Sequence, residues 1–578
     1  MKYAVFDIES TEWVNFQIMG FYTGEEYKTF ASPKSFIKEL NQKKYKGWRI
    51  YAHSGGTFDF KFLLEELYNL TNDVRLIERG GRIIAIYVTT EKTKFTLADS
   101  YALLPSSLHA LCEFFKTEHQ KQKFDFKAKK FDKKNKRDME YLMYDCMALY
   151  EVLTSFFESD FCGTPQLTTA SQALNIFRTR FLECDLFRVR DKYEYMFKKN
   201  FYSGGRVEVY KGSGTVHHFD VNSLYPYAML GDMPCGRLKE TKTYDKSLIG
   251  FWCIEILNTP DWYISPLLFK KEKRNYFVNG PGTYYLSSDT INYLVKEFGI
   301  KFKVVFGFTF SGREPLFNEY VSYFYGLKTK VKQEMGSHDK DGNANAGVYY
   351  ISKLMLNSLY GKLGQTRIRE SVEPYNGQEV FSEFATGNSF SLVLVKHESR
   401  SEFILPYLAA YITERARLYH FKIMHSVAKD VFYCDTDSIM CSTDSLKSKV
   451  SDKIGWLSYT GKYKGIFLAG KTYALKDEKG NESITFKGFD SEDFTFRKFE
   501  KILEKYGEEG TELVGKPKER MLSFRECFTR KSGIIREKNQ FLKVVMTQKT
   551  AKPSIENRTV IPSRKFGFDT KPFNQSDV

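Results

Sequence analysis

Two carboxylate pairs interrupt apolar runs that otherwise read as β-strands. "KYAVFDIE" ends on Asp7 and Glu9, and "VFYCDTDSIM" carries Asp435 and Asp437. Residues two apart on a strand face the same side, so each pair sets two like charges together. Unpaired buried charges are strongly disfavoured. A chain that folds around such pairs must bring cations to them or leave them at a solvated edge.

More acids join the first pair. Asp59 follows the Gly-rich turn of "HSGGTFD" and opens an amphipathic helix. Asp145 lies one helical turn after Tyr141 in "YLMYDCMALY", so these two share a face. A D-x-E at a strand end is usually a solvated edge. Four acids that converge could instead hold two Mg²⁺ ions about 4 Å apart for phosphodiester hydrolysis, with Tyr141 orienting the attacking water. The second pair gains Asp220, at the end of a β run in "HHFDVNSLYPYAML". D-x-D alone also suits a turn or a calcium loop. Lys353, Asn357 and Tyr360 fall on one helical face of "KLMLNSLYGK". Lys would meet phosphate and Tyr a base, although Leu354, Leu356 and Leu359 fit an ordinary amphipathic helix equally well.

Composition narrows the partners. A chain of 578 residues implies two or more domains. Its net charge of +16 favours a polyanion, of which nucleic acid is the commonest. The nine cysteines are scattered without a C-x-x-C pair, which argues against a zinc module or a disulfide framework. No apolar run is long enough for a membrane span, and the N-terminus shows no secretory h-region. A reducing, cytoplasmic setting is expected. Strand and helix patterns alternate as one α/β unit to about residue 160. Within it, "EHQKQKFDFKAKKFDKKNKR" reads as a basic solvated loop. "GSHDKDGNANAG" reads as a polar loop before a Gly-closed helix.

In order, the motifs resemble those of the family B DNA polymerases, in the protein-primed branch of small linear-genome bacteriophages. "FDIE", "HSGGTFD" and "YLMYD" resemble the three proofreading exonuclease motifs, and "YSGG" the Y-x-G-G linker. "DVNSLYP", "KLMLNSLYGK" and "YCDTDSI" resemble polymerase motifs A, B and C, and "GKTY" the K-x-Y motif. The resemblance implies an α/β and α+β multidomain fold. A ribonuclease H-like 3′-5′ exonuclease domain would occupy 1–160, and a right-hand polymerase domain 161–578. The palm would span about 195–230 and 403–488, the fingers about 326–366 and the thumb about 489–578. Insertions at about 231–325 and, as a hairpin, 367–402 would serve the priming protein and processive strand displacement.

The resemblance also implies roles. Asp220, Asp437 and the Val221 carbonyl would hold the polymerase metals, with Asp435 in support. Tyr225 would exclude a 2′-hydroxyl, and Lys328, Lys353, Asn357 and Tyr360 would contact the nucleotide. Asp7, Glu9, Asp59 and Asp145 would form the exonuclease metal site, with Tyr141 and Lys121 beside it. Ser54, Phe58, Ser100, Phe126, Tyr202, Gly204, Gly205, Lys471 and Tyr473 would meet DNA or the primer end. Ser54 stands where the family usually has Asn, a longer donor. The implied cofactors are two Mg²⁺ or Mn²⁺ ions per site. The implied partners are template and primer DNA, dNTPs and a terminal protein, with the polymerase itself monomeric. A DNA-primed family B enzyme and a nuclease with a degenerate polymerase half remain alternatives.

Overall fold

The computed structural model describes residues 1–578 except 123, 125–130, 160–161, 273, 337–345, 375–383, 387–388, 399–400, 509–510 and 530–539. Phe126, most of the polar loop at 336–347 and much of the basic run lie outside the described residues.

The strand Tyr3–Thr11 organises the N-terminal third. It pairs antiparallel with Asn15–Tyr22 and parallel with Arg49–Ala52, which in turn runs parallel to Lys94–Asp99. Its residues sort with period two. Ala4, Phe6 and Ile8 enter one core with Phe60, Leu63 and Leu67 of the helix Asp59–Leu70. Val5 enters another with Cys146, Leu149 and Leu153 of the helix Lys136–Phe157. Helices therefore cover both faces, which is why the first part of this strand, Tyr3 to Phe6, is apolar at every position.

That sheet does not end within the N-terminal third. The strand Val74–Arg79 pairs with Ile368–Pro374 through Ser371↔Ile77 and Val372↔Leu76, so the hairpin expected at 367–402 continues the same sheet. Leu522, Phe524, Phe528 and Phe541, from the region expected to be the thumb, share the core of Phe60 and Leu63. Phe390 joins the three parts, stacking on Tyr68 at 4.7 Å and on Phe541 at 5.6 Å between ring centroids. The hairpin at 368–398 is thus not free-standing. Its strand Ile368–Pro374 pairs on one side with Ser391–Glu398 and on the other with Val74–Arg79, so the backbone groups of both edges find partners.

A seven-stranded antiparallel sheet forms the second centre, in the order Glu482–Phe486, Thr472–Asp477, Leu457–Ala469, Ser213–Val221, Ser438–Cys441, Val431–Asp435, Val207–Val209. The helix Pro406–His425 is packed on it and is buried along most of its length. Between Met233 and Glu314 a four-stranded sheet, the helix Ser288–Phe298 and the hairpin Leu268–Lys271/Arg274–Phe277 make a subdomain. A helical pair follows, Asn318–Gly336 and Ala346–Leu363. The first of these helices begins at Asn318, eight residues before the expected 326 (326 − 318 = 8), just past the helix-breaking Pro315. The last hairpin, Thr559–Ser563/Gly567–Lys571, packs on Tyr506 through Phe568, with ring centroids 4.6 Å apart, and reaches beyond the thumb region. It lies against the central sheet, where the Gly212 N–H donates to the Phe568 carbonyl at 3.0 Å. No helix among the described residues is long and apolar enough to cross a membrane.

Candidate active sites

The N-terminal acids converge. Asp7 and Glu9 project from the same side of the central strand towards the helix that carries Asp145. The Asp59 carboxylate accepts the Ile8 N–H at 3.1 Å, which fastens the helix start to that strand. Glu9, Asp59 and Asp145 are buried. Lys121 pairs with Asp145, and its Nζ donates to the Tyr141 hydroxyl at 3.1 Å. One lysine out of a lysine-rich run is therefore threaded into the cluster. Burial, then the charge of Asp145, pushes Asp7 up to about 7. Burial, then Asp7, pushes Glu9 up to about 9. Burial also raises Asp59 and Asp145. Among the described residues, Asp145 Oδ1 is buried without a hydrogen-bond partner. An all-oxygen donor set with an orphaned carboxylate oxygen suits a hard divalent cation.

A neighbouring group, Glu118, His119 and Glu151, brings ligand atoms within 4.8 Å of one another. There the His119 ring and its backbone N–H (3.0 Å) both bond to Glu151. These bonds anchor the loop that leads to Lys121.

One expected DNA contact, Ser100, is buried in this region. Ser100 is 1% exposed, and its hydroxyl lies 3.0 Å from His53 Nδ1 and 3.2 Å from the Ala52 carbonyl. It holds the histidine of the second motif and has no surface to offer DNA. Ser54 sits in the left-handed region (φ 61), and its carbonyl accepts the Thr57 N–H and hydroxyl. Phe58 lies half-buried between Trp13 and Phe62.

The central sheet holds the second cluster. Asp220 is near the end of Ser213–Val221 and pairs in register with Ser438. Here the expectation from strand alternation fails. Val431–Asp435 ends at Asp435, and Asp435 pairs directly with Ser438. Thr436 and Asp437 are a two-residue hairpin loop, with Thr436 at φ 64. The turn, not a pleat, brings the acids together. The Asp437 carbonyl accepts the Val221 N–H at 2.9 Å, tying the loop to the strand of Asp220.

The three aspartates have different neighbours. Burial acts to raise Asp220, but His218, whose Nε2 lies 3.3 Å from Asp220 Oδ2, and the Thr460 hydroxyl at 3.2 Å hold it below its ordinary value. Asp435 forms an ion pair with Lys471 at 2.6 Å. Asp437 rises to about 6, through burial and then the charge of Asp220. His218 went unremarked in the sequence, although H-x-D on a strand carries the same alternation signal as D-x-E.

Around this cluster the helical pair brings Lys328 close to Lys353 across the loop that separates them in sequence. Lys328 Nζ lies 3.0 Å from the Ser223 hydroxyl, and burial and then Lys353 push its pKa down. Lys353 and Asn357 are exposed. Tyr360 does not stand free for a base, because it stacks on Tyr225 with ring centroids 4.3 Å apart. Tyr202 packs against Gly364, where a Cβ would come within 2.7 Å of its ring. Gly205 faces the Thr436 side chain, while Gly204 is exposed. Tyr473 is half-buried beside Tyr433.

Known proteins match this architecture. The family model described as DNA polymerase type B, organellar and viral, matches residues 40–138 and 132–390. A probable DNA polymerase of Neurospora intermedia is 27% identical over 82% of this chain, which covers 57% of that protein. The chain therefore spans little more than half of that relative's length. A DNA polymerase of Streptococcus phage Cp-1 is 24% identical over 80% of this chain and 85% of the phage protein. A solved structure of phi29 DNA polymerase complexed with primer-template DNA and incoming nucleotide substrates superposes with a TM-score of 0.72. It covers 96% of this chain and 100% of that one at 18% identity.

Proposed function

The chain belongs to the organellar and viral type B DNA polymerases, and from that membership we propose that it is a DNA-dependent DNA polymerase with a 3′-5′ proofreading exonuclease. The observation that carries this reading is the pairing of Asp220 with the Asp437 turn, faced by Lys328 and Lys353, in a chain that also gathers Asp7, Glu9, Asp59 and Asp145. A nuclease with a degenerate polymerase half would have no reason to keep the first arrangement.

Asp220, Asp437 and the Val221 carbonyl would hold divalent metal in the palm, and the four N-terminal carboxylates would hold it in the exonuclease. Bound Mg²⁺ or Mn²⁺ would lower the pKa of the attacking oxygen and neutralise phosphate charge. The residues of the chain do the rest. Lys328 and Lys353 draw the triphosphate to the helical pair. Tyr225, braced by Tyr360, fills the space that a ribose 2′-hydroxyl would need. Lys471, ion-paired with Asp435 at 2.6 Å, offers its charge to the primer end. In the exonuclease, Tyr141 and Lys121 orient the attacking water. The excess of Lys and Arg tracks the DNA backbone without reading sequence.

Protein-primed initiation with strand displacement is the finer part of the reading. Its support is the subdomain between Met233 and Glu314, together with the hairpin at 368–398 that bridges the N-terminal sheet and the thumb region. A bridge of that kind can close around duplex and slow its release. The test is a primed template with labelled dNTPs and Mg²⁺, run with and without a candidate terminal protein and with EDTA. Metal-dependent extension supports the polymerase. Labelled nucleotide on the protein supports protein priming, and extension of DNA primers alone leaves the DNA-primed alternative.

A further inference from the structure

Three consecutive carbonyl groups in the Y-S-G-G segment end on cations. Lys270 Nζ donates to the Tyr202 carbonyl at 2.7 Å and approaches the Lys198 carbonyl at 3.4 Å. Arg417 Nη1 donates to the Ser203 carbonyl at 2.6 Å and the Gly204 carbonyl at 2.9 Å. The Ser203 hydroxyl donates to Asn275 Oδ1 at 3.3 Å. Lys270 and Asn275 belong to the hairpin Leu268–Lys271/Arg274–Phe277, in the first insertion. Arg417 comes from the long buried helix beneath the palm.

Burial and then the charge of Arg417 press the Lys270 pKa down to about 8, and its recorded hydrogen bonds go to backbone carbonyls. A cation held in this way is unfavourable unless the carbonyl dipoles compensate it. The arrangement turns the oxygens of residues 202–204 inward and leaves the exposed backbone of Gly204 open to an approaching phosphodiester.

The far side of the same segment rests on the catalytic turn. A Cβ on Gly205 would stand 2.7 Å from Thr436 Oγ1, and the Arg206 carbonyl accepts the Thr436 N–H at 2.7 Å. Arg206 is itself held by the insertion. Its guanidinium lies 4.0 Å from the Phe277 ring centroid and donates to the Ser265 carbonyl at 2.7 Å. Residues 202–206 are thus clamped between the insertion hairpin and the loop that presents Asp437.

We infer that Lys270 is a positioning residue for nucleotide addition on DNA primers: through residues 202–206, the hairpin of the first insertion sets the placement of the Asp435–Asp437 turn. The insertion then bears on every elongation step and not on initiation alone. This rests on the polymerase reading above.

Single-nucleotide addition on a primer whose last linkage is a phosphorothioate, resistant to degradation, tests it in the full chain. Lys270→Met should lower kcat about tenfold, the scale of a small misplacement of reacting groups. The KM for dNTP, the degradation of single strands and the melting temperature should stay near wild type. Lys270→Arg should restore most of the rate. Asn275→Ala, which removes a restraint on the same segment without touching a buried charge, should give a smaller loss of about threefold. The inference is overturned if Lys270→Met and Asn275→Ala both extend at the wild-type kcat. It is also overturned if Lys270→Met and Lys270→Arg lose polymerisation and degradation together, since that is the mark of a general folding role. A wild-type chain that adds no nucleotide would instead sink the polymerase reading itself.

Discussion

In the N-terminal cluster four carboxylates share, among the described residues, one close cation, Lys121, and burial carries Asp7 to about 7 and Glu9 to about 9. In the palm, three aspartates have His218 beside Asp220 and Lys471 on Asp435, and Asp437 rises to about 6. The residue types are nearly the same. The difference lies in how each fold supplies compensating charge. A cluster with too little of it keeps protons until a metal displaces them. Asp220 is held below its ordinary value and Asp437 reaches only about 6, whereas Asp7 and Glu9 are pushed to about 7 and about 9.

The largest effects should separate the two clusters completely. Asp437→Ala should reduce nucleotide addition about a thousandfold, as loss of a preorganised charge-stabilising group does, while single-strand degradation persists. Primer extension and degradation assays on one preparation decide it, and substantial extension would remove the palm cluster from the mechanism. Asp7→Ala with Asp59→Ala is the mirror experiment. Degradation should fall by a similar factor and extension should continue. Degradation at the wild-type rate would reduce the N-terminal acids to a structural feature.

The contrast in charge sharpens into a pH dependence. At subsaturating Mg²⁺, exonuclease activity should climb from about pH 6 to about pH 9, by up to about tenfold per unit where one proton is released. Extension should level off near neutral pH, because Asp437 titrates lower. Parallel Mg²⁺ titrations across pH measure both, and superimposable profiles would break the comparison. Stability has the corresponding sign. Asp7 and Glu9 keep protons in the metal-free fold that the unfolded chain has already released above its ordinary carboxylate pKa. Stability in EDTA therefore falls as pH rises from about 4 through 7 and on to 9. Asp7→Asn should relieve part of that fall and raise the melting temperature at pH 8 in EDTA.

Smaller effects belong to the surroundings of the two sites. Tyr225→Val should raise ribonucleotide incorporation by about tenfold, about 1.4 kcal/mol of lost exclusion, read as the ratio of dATP to ATP use. Unchanged discrimination would place the gate elsewhere. Phe390→Ala should weaken the stack that joins the hairpin to Tyr68 and Phe541. Short gaps should still fill, while full-length products on singly primed circles with an enzyme trap decline about threefold, in keeping with the modest strength of one aromatic contact. This substitution is a cleaner probe than deleting the hairpin, which would strip the partner strand from Val74–Arg79.

Where local periodicity carries information, the sequence was readable. Alternation put Asp7 and Glu9 on one side of a strand, and helical spacing put Tyr141 and Asp145 on one face. Motif order alone relates Asp220 to Asp437. The same rule misread "YCDTDSI", because a two-residue hairpin loop and a continuous strand share that pattern until Asp435 meets Ser438 across the turn. Ser100 looked available for DNA for a similar reason, since nothing local reports that its hydroxyl is used by His53 and Ala52.

The sequence by itself determined the strand that sets Asp7 and Glu9 on one side, the helix that sets Tyr141 and Asp145 on one face, and the polymerase family to which the chain belongs. Only the tertiary structure decided which lysine out of many reaches Asp145, how Lys328 meets Lys353, that Lys270 and Arg417 hold the Y-S-G-G carbonyls, and that three distant segments share the core around Phe60. The physical reason is range. Backbone geometry repeats over a few residues and leaves its period in the sequence, whereas charge compensation and core packing act through space between residues that the chain order does not relate.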